Sequence, residues 1–435
     1  MFIDRISINR FRTFRKAEVP FLHRDQNFEA LGIPEPKLPN VNLLLGNNGV
    51  GKTTLLKAIA IAALGPAVSD VNLPIYRLVR REAEKKGKAR EKAKAGKKSN
   101  VEQKDEAVIE ATFCTHEQDI KDAGLYVGPL ESHVTITRMD DLERVRWTRP
   151  EEKGWDPIFS AKSDAFFFVG YGSTRRVESQ DRLDLGARLS SSFARAQRIR
   201  SLFEDAYSLV PLSAWLPKLG NKGRTVQVHN LINKLLAHTG YTFTGEQELG
   251  EYLFERDGLK VPFPALSDGY RAYLGWIGDL LFHVTETCPS GKKLTENRGV
   301  VMVDEIDLHL HPKWQMTVLP TLAAELPNIQ FIVTSHSPLI VGSLEWMNIL
   351  FMEPGPGLSA VPKRIPSPVH GLDADQVLLT EFFGLESTRT SDKSRRLKRL
   401  TVEARDGDPD AALQLLAEMS RGSEGSGETI AQNEG

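Results

Sequence analysis

Nine consecutive residues constrain this chain more than any other feature: Gly46-Asn47-Asn48-Gly49-Val50-Gly51-Lys52-Thr53-Thr54. The apolar run before them, Val41 to Leu45, is too short for a helix and predicts a buried parallel strand. After them, Lys52 to Ala63 is built of helix formers and stops at Gly65-Pro66. Strand, glycine loop and helix form the context in which this spacing binds phosphate. Glycines let backbone N–H groups curl round an anion, Lys52 neutralises the β- and γ-phosphate oxygens, and Thr53 offers a hydroxyl to Mg²⁺. ATP with Mg²⁺ is the expected ligand, and Gly46, Asn47, Asn48, Gly49, Val50, Gly51, Lys52, Thr53 and Thr54 are the expected nucleotide-binding residues.

Three further segments extend that chemistry. Val300-Val301-Met302-Val303 is an apolar strand ending in Asp304-Glu305. Asp304 belongs beside the magnesium with Thr53, and Glu305 can polarise the attacking water. Leu266-Ser267-Asp268-Gly269-Tyr270-Arg271 places a good N-cap, Ser267, before an amphipathic helix. Its free N–H groups and positive dipole end suit an anion. Phe331-Ile332-Val333-Thr334-Ser335-His336-Ser337-Pro338 is a strand followed by a histidine.

The order P-loop, Ser-x-Gly helix, carboxylate strand, histidine resembles that of ABC-type ATPases. Asp304 to Gln315 with Pro327 to Pro338 resembles the RecF/SMC-related ATPases of bacterial defence loci, which include the Septu and retron ATPases and, more distantly, the OLD family. The opening Asn9-Arg10-Phe11-Arg12-Thr13-Phe14 resembles their Asn-Phe-Arg-x-Phe start, and Tyr171-Gly172-Ser173-Thr174-Arg175 the Tyr-Gly-x-x-Arg of the Septu-like group. Gly371 to Leu378 and the helices after it resemble that group's C-terminal region.

This resemblance implies an α/β fold: an ABC-type P-loop NTPase head with a mixed sheet, an antiparallel β insert and a short helical subdomain. It implies Glu305, His336 and Lys52 as catalytic residues, His336 as γ-phosphate sensor, Arg12 near the nucleotide, and Thr53 and Asp304 on the metal. Ser267, Asp268 and Gly269 would touch ATP held by another copy, in a head-to-head dimer or higher oligomer. A partner effector, most naturally a nuclease, would be gated in phage defence. Leu310-His311 departs from the Leu-Asp of SMC-type proteins, a histidine that the OLD-like and Septu-like groups share.

Of the 435 residues, 40% are hydrophobic and 26% charged, a composition that rules out a disordered or fibrous chain. Fifty-six Lys+Arg balance 57 Asp+Glu, so nucleic-acid binding would need a local patch. Arg77 to Lys98 is such a stripe, with eleven Lys/Arg against three Glu: a solvated insertion, or a grip on a DNA or RNA backbone. Two cysteines, Cys114 and Cys288, and no membrane-spanning apolar run point to a cytoplasmic protein without a membrane partner.

The expected divisions are an N-terminal ATPase lobe over 1–180 with the basic insertion 77–100 and an antiparallel sheet over Ala107 to Thr148, and a helical subdomain over 181–264. A C-terminal ATPase lobe over 265–355, a helical region over 356–420 and a disordered tail over 421–435 follow. Neither a Toprim-like carboxylate pair nor a nuclease motif stands out, so nuclease activity in this chain is not expected. The alternative reading is a RecF-like DNA-binding ATPase of repair or replication. A transporter ATPase subunit and a self-contained nuclease are weaker readings.

Overall fold

Two sheets enclose one helix, and the distribution of apolar residues explains why. The computed structural model describes residues 1–65, 77–81, 106–115, 129–140, 142–148, 167–177, 194–289, 291–387 and 391–420. Most of the basic stripe, residues 181–193 of the expected helical segment, Phe166, Asp141 and the tail 421–435 lie outside the described residues. The chain divides into two units, 1–373 and 374–435.

The central sheet of the first unit has six strands. They are β3 (Val41–Leu45), β7 (Phe168–Tyr171), β13 (Gly299–Val303), β14 (Ile329–Thr334), β15 (Ile349–Gly355) and β16 (Ser359–Lys363), in the order β16-β15-β3-β14-β13-β7. All neighbours run parallel except β15 and β16. Every residue of β3, β13 and β14 is buried, the signature of parallel strands covered on both faces. The register aligns Tyr171 with Val303, Val303 with Val333, and Thr334 with Leu44. The carboxyl ends of four strands therefore meet along one edge, where ligands of open α/β sheets bind.

A second sheet, ordered β2-β1-β4-β5-β6, is antiparallel throughout: β1 (Phe2–Phe11), β2 (Phe14–Pro20), β4 (Glu106–Cys114), β5 (Pro129–Met139) and β6 (Leu142–Thr148). It contains the expected antiparallel insert and also takes in the opening strand, with β2 folded back on it. Between the sheets lies α1 (Lys52–Leu64), with eleven of its thirteen residues buried. Its Ala/Ile/Leu run is apolar all round, as a helix covered on both sides must be. Ile6, Ile8, Ile59, Ile61, Ile109, Phe113 and Phe168 share one core. Buried amides bind the sheets: Gln330 accepts from Ile3 N and donates to Ile3 O and Leu22 O, each at 2.9 Å, while Asn42 exchanges two bonds with Leu22 at 2.7 and 2.8 Å.

Beyond β7 come the two-residue strands β8 (Arg176–Val177) and β9 (Ser208–Leu209), then α2 (Lys222–Leu236). The antiparallel strands β10 (Thr242–Glu248), β11 (Glu251–Arg256) and β12 (Leu259–Pro262) follow. The described part of the expected helical subdomain is therefore mixed. A hairpin at Asp257-Gly258 joins β11 to β12, with both residues at positive φ (51° and 78°). Next are α3 (Asp268–Thr287), α4 (Pro312–Glu325) and the one-turn α5 (Pro338–Gly342).

The region expected to be helical from 356 holds only a 3-10 turn (Pro356–Leu358) before β16. Pro362 masks it in the sequence, but an edge strand tolerates proline. In the second unit, α6 (Ser391–Arg405) packs on α7 (Pro409–Ser420), with Arg396 paired to Glu418 at 3.2 Å. Among the described residues no helix is long and apolar enough to cross a membrane.

Candidate nucleotide-binding site

The glycine loop joins β3 to α1, and its two buried glycines are required by their surroundings. Gly46 has φ 147°, and a Cβ there would meet Met352 O at 2.5 Å. Gly51 has φ 104°, and a Cβ would stand 2.3 Å from Thr13 Oγ1. Asn47, Asn48 and Gly49 are exposed, while Lys52 is 7% exposed and donates to Gly46 O (2.7 Å) and Asn47 O (3.1 Å). Burial lowers the Lys52 pKa, opposed by the carboxylates of Asp304, Glu305 and Asp307. Two loop carbonyls thus hold the Lys52 ammonium in place, and a glycine loop at a helix start is the setting in which backbone N–H groups cradle an anion.

Asp304 is the hub. It follows β13, its N–H bonds to Tyr171 O at 2.8 Å, and each carboxylate oxygen accepts a hydroxyl at 2.7 Å: Oδ2 from Thr53, Oδ1 from Thr334. One side chain thus joins the P-loop helix, the carboxylate strand and β14. Thr53 and Asp304 supply adjacent hard oxygen donors, the set that Mg²⁺ takes, so the residues fit that ion. Among the described residues, two buried oxygens, Thr13 Oγ1 and Asp307 Oδ1, have no hydrogen-bond partner.

Glu305 sits at φ 49°, unusual for a residue with a side chain. Two contacts hold it there: its N–H donates to Thr334 Oγ1 at 2.7 Å, and its carbonyl accepts from Arg175 Nη2 at 2.9 Å. Arg175 also donates to Asp304 O at 2.7 Å. Burial brings its guanidinium down to about 10, so it stays charged at neutral pH. His336, half-buried after β14, has its pKa lowered by burial and by the Lys52 ammonium, while Asp307, Glu305 and Asp304 pull the other way.

The structure thus brings Lys52, Thr53, Asp304, Glu305 and His336 into one electrostatic neighbourhood. Arg12 lies in the two-residue turn between β1 and β2, beside Thr13, whose hydroxyl packs on Gly51. Ser267, Asp268 and Gly269 have a separate place, at the start of α3. Ser267 is the N-cap by position but its side chain makes no capping bond, and it is exposed. A Cβ on Gly269 would stand 2.8 Å from His309 O, so the loop after Glu305 packs against this helix start.

Sequence reasoning missed the supporting residues. Thr334 stood in plain view in Thr-Ser-His-Ser, yet one threonine at a strand end carries no signal. Arg175 was visible only in the Tyr-Gly-x-x-Arg resemblance. Tyr171 also links the site to α3: its hydroxyl donates to Asp279 Oδ2 at 2.8 Å, and Asp279 Oδ1 accepts from Val210 N at 2.7 Å. His311, in place of the SMC-type aspartate, caps α4 by accepting from Lys313 N at 3.3 Å.

Two family descriptions match the chain: "AAA domain" over residues 5–155 and "AAA domain, putative AbiEii toxin, Type IV TA system" over 156–342. The Septu protein PtuA of Bacillus mycoides (strain KBAB4) is 24% identical over 389 residues, 89% of this chain and 45% of that protein. The retron Ec83 probable ATPase of Escherichia coli is 34% identical over 115 residues, 26% of this chain and 21% of that one. The chain spans less than half the length of these curated relatives. An SMC head domain from Thermotoga maritima aligns with TM-score 0.44 and 14% identity, over 84% of this chain and 99% of that one. Together the two AAA-domain descriptions account for residues 5–342 of this chain.

Proposed function

We propose that this ATPase is an ATP-operated dimer switch that gates a separate effector, a nuclease, in antiphage defence. The hub at Asp304 carries the ATP-hydrolysing half of the reading, because it ties phosphate loop, carboxylate strand and histidine strand through two 2.7 Å hydroxyl bonds. Lys52 binds the β- and γ-phosphate oxygens, with backbone N–H groups of Gly46 to Thr54 around them and Arg12 beside the nucleotide. Thr53 and Asp304 hold the Mg²⁺, which when bound withdraws charge from those phosphates. Glu305, aimed by Thr334 and Arg175, orients the attacking water and accepts its proton. His336 hydrogen-bonds the γ-phosphate or that water.

Ser267, Asp268 and Gly269 contact ATP held by a second copy. The uncapped start of α3 supports this, since exposed N–H groups at a twenty-residue helix suit an anion. Such contacts make ATP bind the closed dimer better than the open one, and that difference is what shifts the population. The defence role and the effector rest on the likeness to a Septu protein and a retron ATPase. The RecF-like alternative draws on the basic stripe, most of which lies outside the described residues.

The test is Glu305→Gln. Turnover should fall by about 10²–10⁴-fold, the usual worth of a positioned general base. ATP should then hold the protein as a dimer in light scattering. Parental turnover would remove Glu305 from the mechanism, and a monomer at saturating ATP would remove the switch.

A further inference from the structure

Away from the nucleotide, one end of the antiparallel sheet, where β1 starts and β4 finishes, gathers three unlike donors from three segments. Among the described residues, Asp4, His23 and Cys114 each offer one ligand atom, and these lie within 4.8 Å of one another. We propose that Asp4, His23 and Cys114 form a zinc site, with water in the fourth position.

The backbone explains the convergence. β1 pairs with β4 from Phe2↔Cys114 to Ile3↔Phe113, then skips to Arg5↔Thr112, leaving Asp4 as the unpaired residue of an irregularity. A bulge of this kind re-aims a side chain. Asp4 O accepts from Phe21 N at 2.8 Å, which binds the bulge to the segment leading to His23. Cys114 ends β4 opposite Phe2. The ring of Phe2 stacks on His23, with centroids 5.7 Å apart and planes 20° apart, fixing the imidazole plane.

Hydrogen bonding leaves His23 poorly satisfied. Its side chain is 4% exposed, its contact with Asp4 Oδ1 is long at 3.4 Å, and its Nδ1 is buried with no partner among the described residues. An imidazole buried this way loses hydration without full return, and a metal at Nε2 in place of the long contact with Asp4 would restore part of it. The Asp4 carboxylate, 29% exposed, leaves a route for the ion. Arg5, whose Nε is 3.9 Å from Asp4 Oδ2, is the cation that zinc must outcompete.

Thiolate with imidazole selects zinc over the hard ions that the nucleotide site takes. On binding, the Cys114 S–H bond gives way to S–Zn and the proton passes to solvent. Zinc would close β1, the segment after β2, and β4 into one unit. This assignment does not depend on the ATPase mechanism.

The experiment strips the full chain with a chelator, dialyses it against zinc with excess Mg²⁺, and measures metal content and zinc affinity. One zinc per chain is expected, with affinity at least roughly tenfold weaker in Cys114→Ser and His23→Gln. Asp304→Asn should retain the ion, which separates this site from the nucleotide pocket. Should either variant misfold, the parent chain still reports: Co²⁺ should give a thiolate charge-transfer band, and zinc should slow alkylation of Cys114. No bound zinc, unchanged zinc in the variants, or alkylation of Cys114 indifferent to zinc would each overturn the assignment.

Discussion

Thr334 does two jobs with one hydroxyl: it donates to Asp304 Oδ1 and accepts from Glu305 N, both at 2.7 Å. Thr334→Val keeps the shape but leaves that N–H unpaired in a half-buried place. The expected cost is about 1–3 kcal/mol in a denaturant titration. Turnover should drop while ATP affinity, carried by Lys52, holds; unchanged turnover would mean that other groups orient the carboxylate. His336 makes a prediction in pH. Its folded pKa is depressed, so its contribution to stability is complete above the ordinary imidazole value of about 6.5 and is lost as pH falls through the lowered folded pKa. In nucleotide-free protein its NMR titration midpoint should lie below that of a free imidazole, and ATP should raise it by adding negative charge. A midpoint above the free value without nucleotide would contradict the electrostatic account. At this scale the sequence pointed to Lys52, Thr53 and Asp304 through two short local motifs, and the structure brings the three together. The sequence was poor for Thr334 and Arg175, whose roles exist only across more than a hundred residues of intervening chain or across two strands.

At the scale of elements, the central sheet and the antiparallel sheet are held by more than shared apolar core. Gln330, fully buried on β14, serves Ile3 N, Ile3 O and Leu22 O together. Gln330→Ala strands these groups away from water. It should lower unfolding stability by roughly 2–4 kcal/mol, read by urea denaturation. A change near zero would show that the sheets are held by α1 and the core alone. β3, β13 and β14 were legible because short, largely apolar five- or six-residue runs have few other places to go. β2 was not, since Phe14-Arg15-Lys16-Ala17-Glu18-Val19-Pro20 has the charge of a surface loop, and only the tight Arg12-Thr13 turn brings its alternate residues onto the core. β16 was hidden for a similar reason, its proline acceptable only at an edge.

For the whole molecule the question is whether each site is completed by another copy. Lys52→Ala and Ser267→Arg should each abolish turnover alone. Mixed in equal amounts, they form heterodimers in which one pocket keeps both Lys52 and Ser267. About a quarter of parental turnover should return, since half the dimers are mixed and each has one whole pocket. No recovery, with dimer exchange verified, would place Ser267 outside the partner's pocket. The P-loop, its flanking strand and helix, the carboxylate strand and the order of the motifs were determined by sequence alone, because each depends on neighbours within a few residues whose φ/ψ needs and periodicity are written locally. What only the tertiary structure decided is which strands lie side by side. That choice brought Thr334 to Asp304, Arg175 to the carbonyl of Glu305 and Tyr171 to Asp279. Such pairings arise from packing all the apolar faces at once, and no local stretch of residues encodes them.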